Sequence, residues 1–279
     1  MNRLVELQVR RNAAGRDAWE CAARHRQRVT GLLCDAAPSV GGRLCVLGAG
    51  NCNDLELTLL ARRFAEVHLV DVDGEALAAA VARQGPFAGG AVHLHGGCDL
   101  TGIWQQLAAW SAEPSGRIGN PSYEDVRRAI DAVKAFVPEL PGEFDVAASV
   151  CLLSQLIEAI VASLGERHPA FLDLLQAVRR RHLRLLADVT APGGTGLLIT
   201  DIVSTDTAPG LADVPEDRLE PALMALVDAG NLFHGVHPAV IANELQTDPR
   251  VRAVEILKPW VWDLGVRQYG VVGIRFRRA

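Results

Sequence analysis

Residues 44–57 read LCVLGAGNCNDLEL. The apolar run 44–47 meets Gly48-Ala49-Gly50, and an apolar-periodic segment begins near Asp54-Leu55. The pattern predicts a strand, a tight glycine turn and the start of a helix. Glycine admits left-handed backbone and close approach of a ligand, and a helix N-terminus offers unpaired N–H groups. Nucleotide-like cofactors are held in this way, so the stretch predicts such a site within an α/β fold.

The segments on either side carry the same alternation. EVHLVDVD (66–73) reads as a strand and GEALAAAVARQ (74–84) as a helix ended by Gly85-Pro86. A strand at 91–100 runs into a glycine turn, and 101–110 reads as helical. The turn-rich loop EPSGRIGNPS (113–122) follows, and Ser122 with Asp125 predicts an N-cap for the next helix. Then come a strand at 143–150, a long helix at roughly 168–189, a turn at Pro192-Gly193-Gly194 and a very apolar strand at 196–203. An acidic, proline-containing loop (204–218) precedes helices at 219–229 and 238–246. Strands at 252–262 and 268–276 close the chain, and their short connection predicts an antiparallel pair. The expected fold is α/β: a doubly wound seven-stranded sheet, mostly parallel with an antiparallel last strand, and helices on both faces. Residues 1–38 read as an N-terminal helical extension or lid, and 39–279 as a single domain.

Composition narrows the class. Of 279 residues, 49% are hydrophobic and 22% charged, and the formal net charge is −5. That balance disfavours a nucleic-acid partner, which needs a basic face. The six cysteines form no C-x-x-C pair, and no His/Cys group has zinc-ligand spacing, so no metal is expected. Free thiols, no run of ~18 apolar residues and no cleavable apolar leader predict a reduced, cytoplasmic protein with no membrane partner. Sequence says nothing about oligomeric state.

Three positions bear on the cofactor. A dinucleotide fingerprint, G-x-G-x-x-G, places its third glycine where this chain has Asn53. Asp71 ends the second strand close to the ~20-residue spacing of a ribose-binding acid. Asp99 follows the third strand, where a carboxylate can accept from an exocyclic amine. Together with the antiparallel ending, these residues resemble the class I S-adenosylmethionine-dependent methyltransferases over roughly residues 40–279. The resemblance implies that Gly48, Ala49 and Gly50 hold the methionine end of S-adenosylmethionine, with Asn51 or Asp54 at its ammonium. It assigns Asp71 to the ribose, with Val72 against adenine, and Asp99 to adenine, with Leu100 beside it. Ser149 and Cys151 would lie near the sulfur. Val46 stands where the family usually has an acid, and Cys52 where it has a third glycine. The activity implied is methyl transfer to the oxygen or nitrogen of a small molecule. The alternatives are a NAD(P)-dependent oxidoreductase and a non-catalytic S-adenosylmethionine-binding protein of the same fold.

A sulfonium methyl is already activated, so positioning supplies much of the acceleration and a base is needed only for a protonated acceptor. The expected acceptor-side groups are Asp201 and His234, with Tyr123 in a segment placed to cover the acceptor. The blander readings make Arg179-Arg180-Arg181 a solvated helix face, Asp99 an N-cap and His237 an N-cap ahead of Pro238. Trp260 and Trp262 share one strand face, as core or as a substrate wall.

Overall fold

The computed structural model describes residues 8, 12, 15, 18–38, 41–110 and 121–279. Most of the stretch before residue 18 and nearly all of the loop expected at 113–122 therefore lie outside the described residues.

The chain alternates as its apolar pattern requires. Helix α1 (Ala23–Ala36) leads into β1 (Arg43–Leu47), α2 (Leu57–Arg63), β2 (Glu66–Val70), α3 (Gly74–Gln84), β3 (Val92–His95) and α4 (Trp104–Trp110). The second half runs α5 (Tyr123–Ala135), β4 (Phe144–Val150), α6 (Leu153–Leu164), α7 (Phe171–Val189) and β5 (Thr190–Ser204). After two short 3-10 turns come α8 (Leu219–Asp228), α9 (Pro238–Gln246), β6 (Val251–Ile256), β7 (Trp260–Asp263) and β8 (Gln268–Arg278). Local chemistry sets several of these starts. Ser122 and Asp125 form a reciprocal capping box on α5, and the Asp73 carboxylate caps α3 by accepting from Ala76 N–H.

The strands form one sheet in the order β3-β2-β1-β4-β5-β8-β6, with β7 also paired to β8. Strands β1 to β5 are mutually parallel, and β8 runs antiparallel to β5. The sheet thus has eight strands rather than seven. The expected single strand 252–262 is interrupted before β7, where Pro259 has no N–H to donate to a ladder. Helix α6 was not legible in the sequence. The Pro192-Gly193-Gly194 segment is a bulge inside β5, because Phe144 pairs with Thr190 while Val146 pairs with Thr195.

Two apolar layers enclose the sheet. One packs Leu44, Val46, Val67 and Leu69 against α1, α2 and α3; the other packs Cys45, Leu47, Val70 and Ala147 against α4 to α9. Both faces are covered, which is why the parallel strands read as continuous apolar runs rather than alternating ones. Val46 lies fully within the first layer, so a carboxylate there would be buried. The order of strands reverses between β1 and β4. Open α/β sheets place their crevice at this point, beyond the carboxyl ends of the strands.

Candidate active site

The glycine turn after β1 is held down by Gly48 and Ala49 N–H groups, which both donate to Val70 O at the end of β2. Gly48 has φ +78°, and a Cβ there would fall 2.6 Å from Leu152 Cβ at the head of α6. Only glycine satisfies both constraints. Cys52, where the resemblance lacks its third glycine, has φ +49° and a buried side chain in the inner apolar layer. The backbone there keeps a glycine-like conformation while the thiol packs into the core. Cys151, directly after β4, is the second such residue at φ +47°. Left-handed non-glycine residues are uncommon and gather at ligand sites.

Behind the turn lies a layer of cations. Arg26 stacks 3.5 Å over the Trp19 ring and donates to Glu56 and to the Trp19 and Asn53 carbonyls. Arg83 donates to Asn51 O and Asn53 Oδ1 and lies 4.8 Å from the Trp19 ring centroid. The described residues of the N-terminal stretch close over the same loop: Asn51 donates to Asn12 O, Asn53 to Gly15 O, and Asn12 to Asp73 Oδ2.

A cavity of about 690 Å³ opens between this turn, the heads of β4 and β5 and the tip of β8. Gly48, Ala49, Gly50, Asn51, Asp54, Asp71, Cys151, Asp201 and His234 all reach it. A smaller recess of about 40 Å³ adjoins it, lined by Asp71, Val72, Asp99, Leu100 and Trp104. Gly48 and Asp71 border both spaces.

The carboxylates differ in how they are held. Asp71 accepts from Gly50 N–H (2.8 Å) and Asp73 N–H (2.9 Å), which ties the second strand's end to the glycine turn. Burial still raises its pKa, against those two bonds. Asp99 accepts from Thr101 N–H and hydroxyl and from Trp104 N–H, so it caps the α4 turn while facing the recess. Asp201 reaches the cavity from within β5, at a register shift against β8 that redirects the strand. Burial pushes its pKa up to about 6, although the Ser154 hydroxyl donates to it at 2.6 Å. Asp54 is pushed up to about 7 by burial, with Arg26 opposing and Asp201 adding to the rise. Its Oδ1 is buried with no hydrogen-bond partner among the described residues.

His25 on α1 faces Asp54 at 3.6 Å, beyond hydrogen-bond reach. Trp260 Nε1–H donates to His25 Nδ1 at 2.9 Å. An indole can only donate, so His25 Nδ1 is the acceptor and the ring proton sits on Nε2. Burial lowers this histidine to about 3 and keeps it neutral. Its ring stacks on Trp262 at 4.6 Å, and Trp262, Tyr269 and Phe233 line the cavity. His234 lies at the rim, half exposed, 3.1 Å from Glu166.

Other expected residues lie elsewhere. Ser149 is fully buried with its hydroxyl 2.7 Å from His182 Nε2 on α7, and it lines neither space. It sits one strand position short of the carboxyl end and points into the core. Tyr123 is 54% exposed at the start of α5, away from both spaces. His237 occupies the N-cap of α9 but its side chain makes no capping bond. Arg179 and Arg181 are buried rather than solvated: Arg179 makes a forked ion pair with Glu244, and Arg181 bonds Phe136 O and Asp188. Sequence reasoning missed His25, Ser154 and Tyr269. None carries a motif, and Ser154 belongs to the unread helix α6.

Among solved structures, the arrangement matches the 1,6-didemethyltoxoflavin N1-methyltransferase of Burkholderia thailandensis, bound to 1,6-didemethyltoxoflavin and S-adenosylhomocysteine. Identity is 14%, the match covers 99% of this chain and 87% of that chain, and the TM-score is 0.51. This is the fold of the class I methyltransferases. The N-methyltransferase NodS of Bradyrhizobium japonicum WM9 matches at 12% identity over 91% of this chain and 86% of that chain, with a TM-score of 0.45. No family model matches the chain, and no curated protein matches it in sequence. In this methyltransferase fold the cavity sits at the strand-order reversal, as the rule for open α/β sheets requires.

Proposed function

We propose that the chain transfers a methyl group from S-adenosylmethionine to the oxygen or nitrogen of a small-molecule acceptor. One observation carries the reading. A glycine turn closed to any Cβ, an acid ending β2 and an acid following β3 border two spaces that share Gly48 and Asp71 in their walls, beyond the β1–β4 reversal.

The residues present suit that cofactor. Asp71 sits between the two spaces, where a ribose diol would donate to its carboxylate. Val72, Leu100 and Trp104 flank the recess with flat and apolar surface suited to a base, and Asp99 faces it as an acceptor. The buried Asp54 Oδ1, unpartnered among the described residues, suits an ammonium group. S-adenosylmethionine, when bound, supplies an electrophilic methyl group.

The chain's own part is positioning and proton handling. Asp201, oriented by Ser154, is mostly ionised at neutral pH and is placed to accept a proton from the acceptor. Trp262, Tyr269 and Phe233 orient a planar or cationic acceptor and exclude water. His234 stands at the entrance. The Burkholderia thailandensis enzyme of the same fold, which holds 1,6-didemethyltoxoflavin with S-adenosylhomocysteine, supports the small-molecule reading.

Calorimetric titration of the pure protein with S-adenosylhomocysteine tests the proposal. A saturable heat and a raised melting temperature are expected, and absence of both at millimolar ligand overturns it. Stabilisation by NAD alone would instead establish the oxidoreductase. With an acceptor in hand, kcat/KM is expected to rise as pH passes through about 6, where Asp201 ionises, and Asp201→Asn to abolish that rise.

A further inference from the structure

A second group of chemistry-bearing side chains lies on β2 and the edge strand β3, and none of its members lines either cavity. Pairing sets His68 opposite His93 and Val70 opposite His95. Residues two apart share a sheet face, so Glu66, His68, His93 and His95 project together. The His68 ring is buried and stacks on His93 at 4.5 Å and on His95 at 5.3 Å. Its Nε2 lies 3.0 Å from Glu66 Oε2, and its Nδ1 lies 3.0 Å from His95 Nε2. Glu66 Oε2 also accepts from Arg43 Nε at 2.7 Å. One ligand atom from each of Glu66, His68 and His93 lies within 4.8 Å of the others. His93 Nε2 is buried with no hydrogen-bond partner among the described residues. An unpaired buried nitrogen costs stability, which an apolar side chain in its place would avoid.

We propose that Glu66, His68 and His93 bind a divalent transition-metal ion of the zinc type. Two imidazoles and a carboxylate form a donor set that such ions take at ~2.0–2.2 Å, in tetrahedral sites whose ligand atoms stand ~3.4 Å apart. Glu66 and His68 already stand near that separation. His93, on the edge strand and half-buried, turns its otherwise unpartnered Nε2 inward to complete the triad, and the fourth position takes water. With the ion bound, His95 Nε2, which lies 3.0 Å from His68 Nδ1, would accept from His68 Nδ1–H and leave the Nε2 lone pair for the metal, while Arg43 steadies the carboxylate. The bound ion ties the edge strand to its neighbour. Sequence spacing does not reveal such a site, because its ligands come from two strands joined by sheet pairing.

Full-length protein stripped with a chelator is titrated with Zn²⁺ by calorimetry, and with Co²⁺ by visible absorption. Saturable one-to-one binding and a zinc-dependent rise in melting temperature are expected. His93→Ala and Glu66→Gln should each weaken binding by ~10-fold or more, while His168→Ala, remote from the cluster, leaves it unchanged. Both test variants alter side chains with solvent access, so their folding can be verified independently of buried His68. No saturable binding, or equal affinity in wild type and both variants, overturns the proposal.

Discussion

At the scale of single residues, the site depends on carboxylates whose burial is costly. Asp71 joins the glycine turn to the second strand through its bonds to Gly50 and Asp73 N–H. Asp71→Ala should weaken S-adenosylhomocysteine binding by ~100-fold in calorimetry, since it removes a charge-assisted acceptor and frees the turn. Unchanged affinity would show that another residue holds the ribose. Asp54 makes a different prediction. Its folded-state pKa lies near 7, against an ordinary 3.8, so between those values the folded state holds more protons than the unfolded one. The stabilising preference is fully present below pH 4 and is lost as pH rises through 7. Asp54→Asn should therefore match wild type near pH 4 and exceed it by ~4 kcal/mol at pH 8, read by denaturant unfolding. A variant no more stable than wild type at pH 8 would mean that Asp54 is already compensated in the folded chain. Asp71 was legible as the acid ending the second strand, and Asp54 as a polar residue just after the glycine turn. The left-handed backbone at Cys52 and Cys151 was not, because a cysteine in sequence gives no sign of its φ.

At the scale of elements, helix α7 shows where pattern reading fails. Arg179-Arg180-Arg181 reads as a solvated face, yet successive helix positions point about 100° apart. One of the three therefore remains outside while Arg179 and Arg181 turn inward. Arg179 is neutralised by Glu244 of α9, 65 residues further along the chain. Glu244→Ala leaves a buried guanidinium unpaired and should cost ~3 kcal/mol in denaturant unfolding. Replacing both partners with apolar residues of similar size should restore most of that loss. A Glu244→Ala penalty well below 1 kcal/mol would show that Arg180 or solvent substitutes for the pairing. Strand and helix order was legible elsewhere because buried parallel strands are continuously apolar and Ser122 announces its helix. Helix α6 escaped notice because it is apolar on most of its surface, being covered by α4, α7 and the sheet.

At the scale of the whole molecule, the site is assembled from parts remote in sequence: α1, the turn after β1, the heads of β4 and β5, and the closing β7–β8 pair. The N-terminal stretch contributes through Trp19, whose ring lies against the guanidinium groups of Arg26 and Arg83. If that stretch acts as a lid, Trp19→Ala should raise the dissociation rate of S-adenosylhomocysteine several-fold in stopped flow and leave global stability within ~1 kcal/mol. An unchanged rate would make the stretch a static outer layer. The sequence by itself determined the α/β alternation, the glycine turn and the acids after β2 and β3, because each follows from local periodicity or from what one backbone position tolerates. Tertiary structure alone decided which carboxylates face one cavity, that His25 meets Trp260 and Asp54, and that two strands align three histidines with a glutamate. Those relations depend on strand pairing and on exclusion of solvent, which arise only when distant segments pack together.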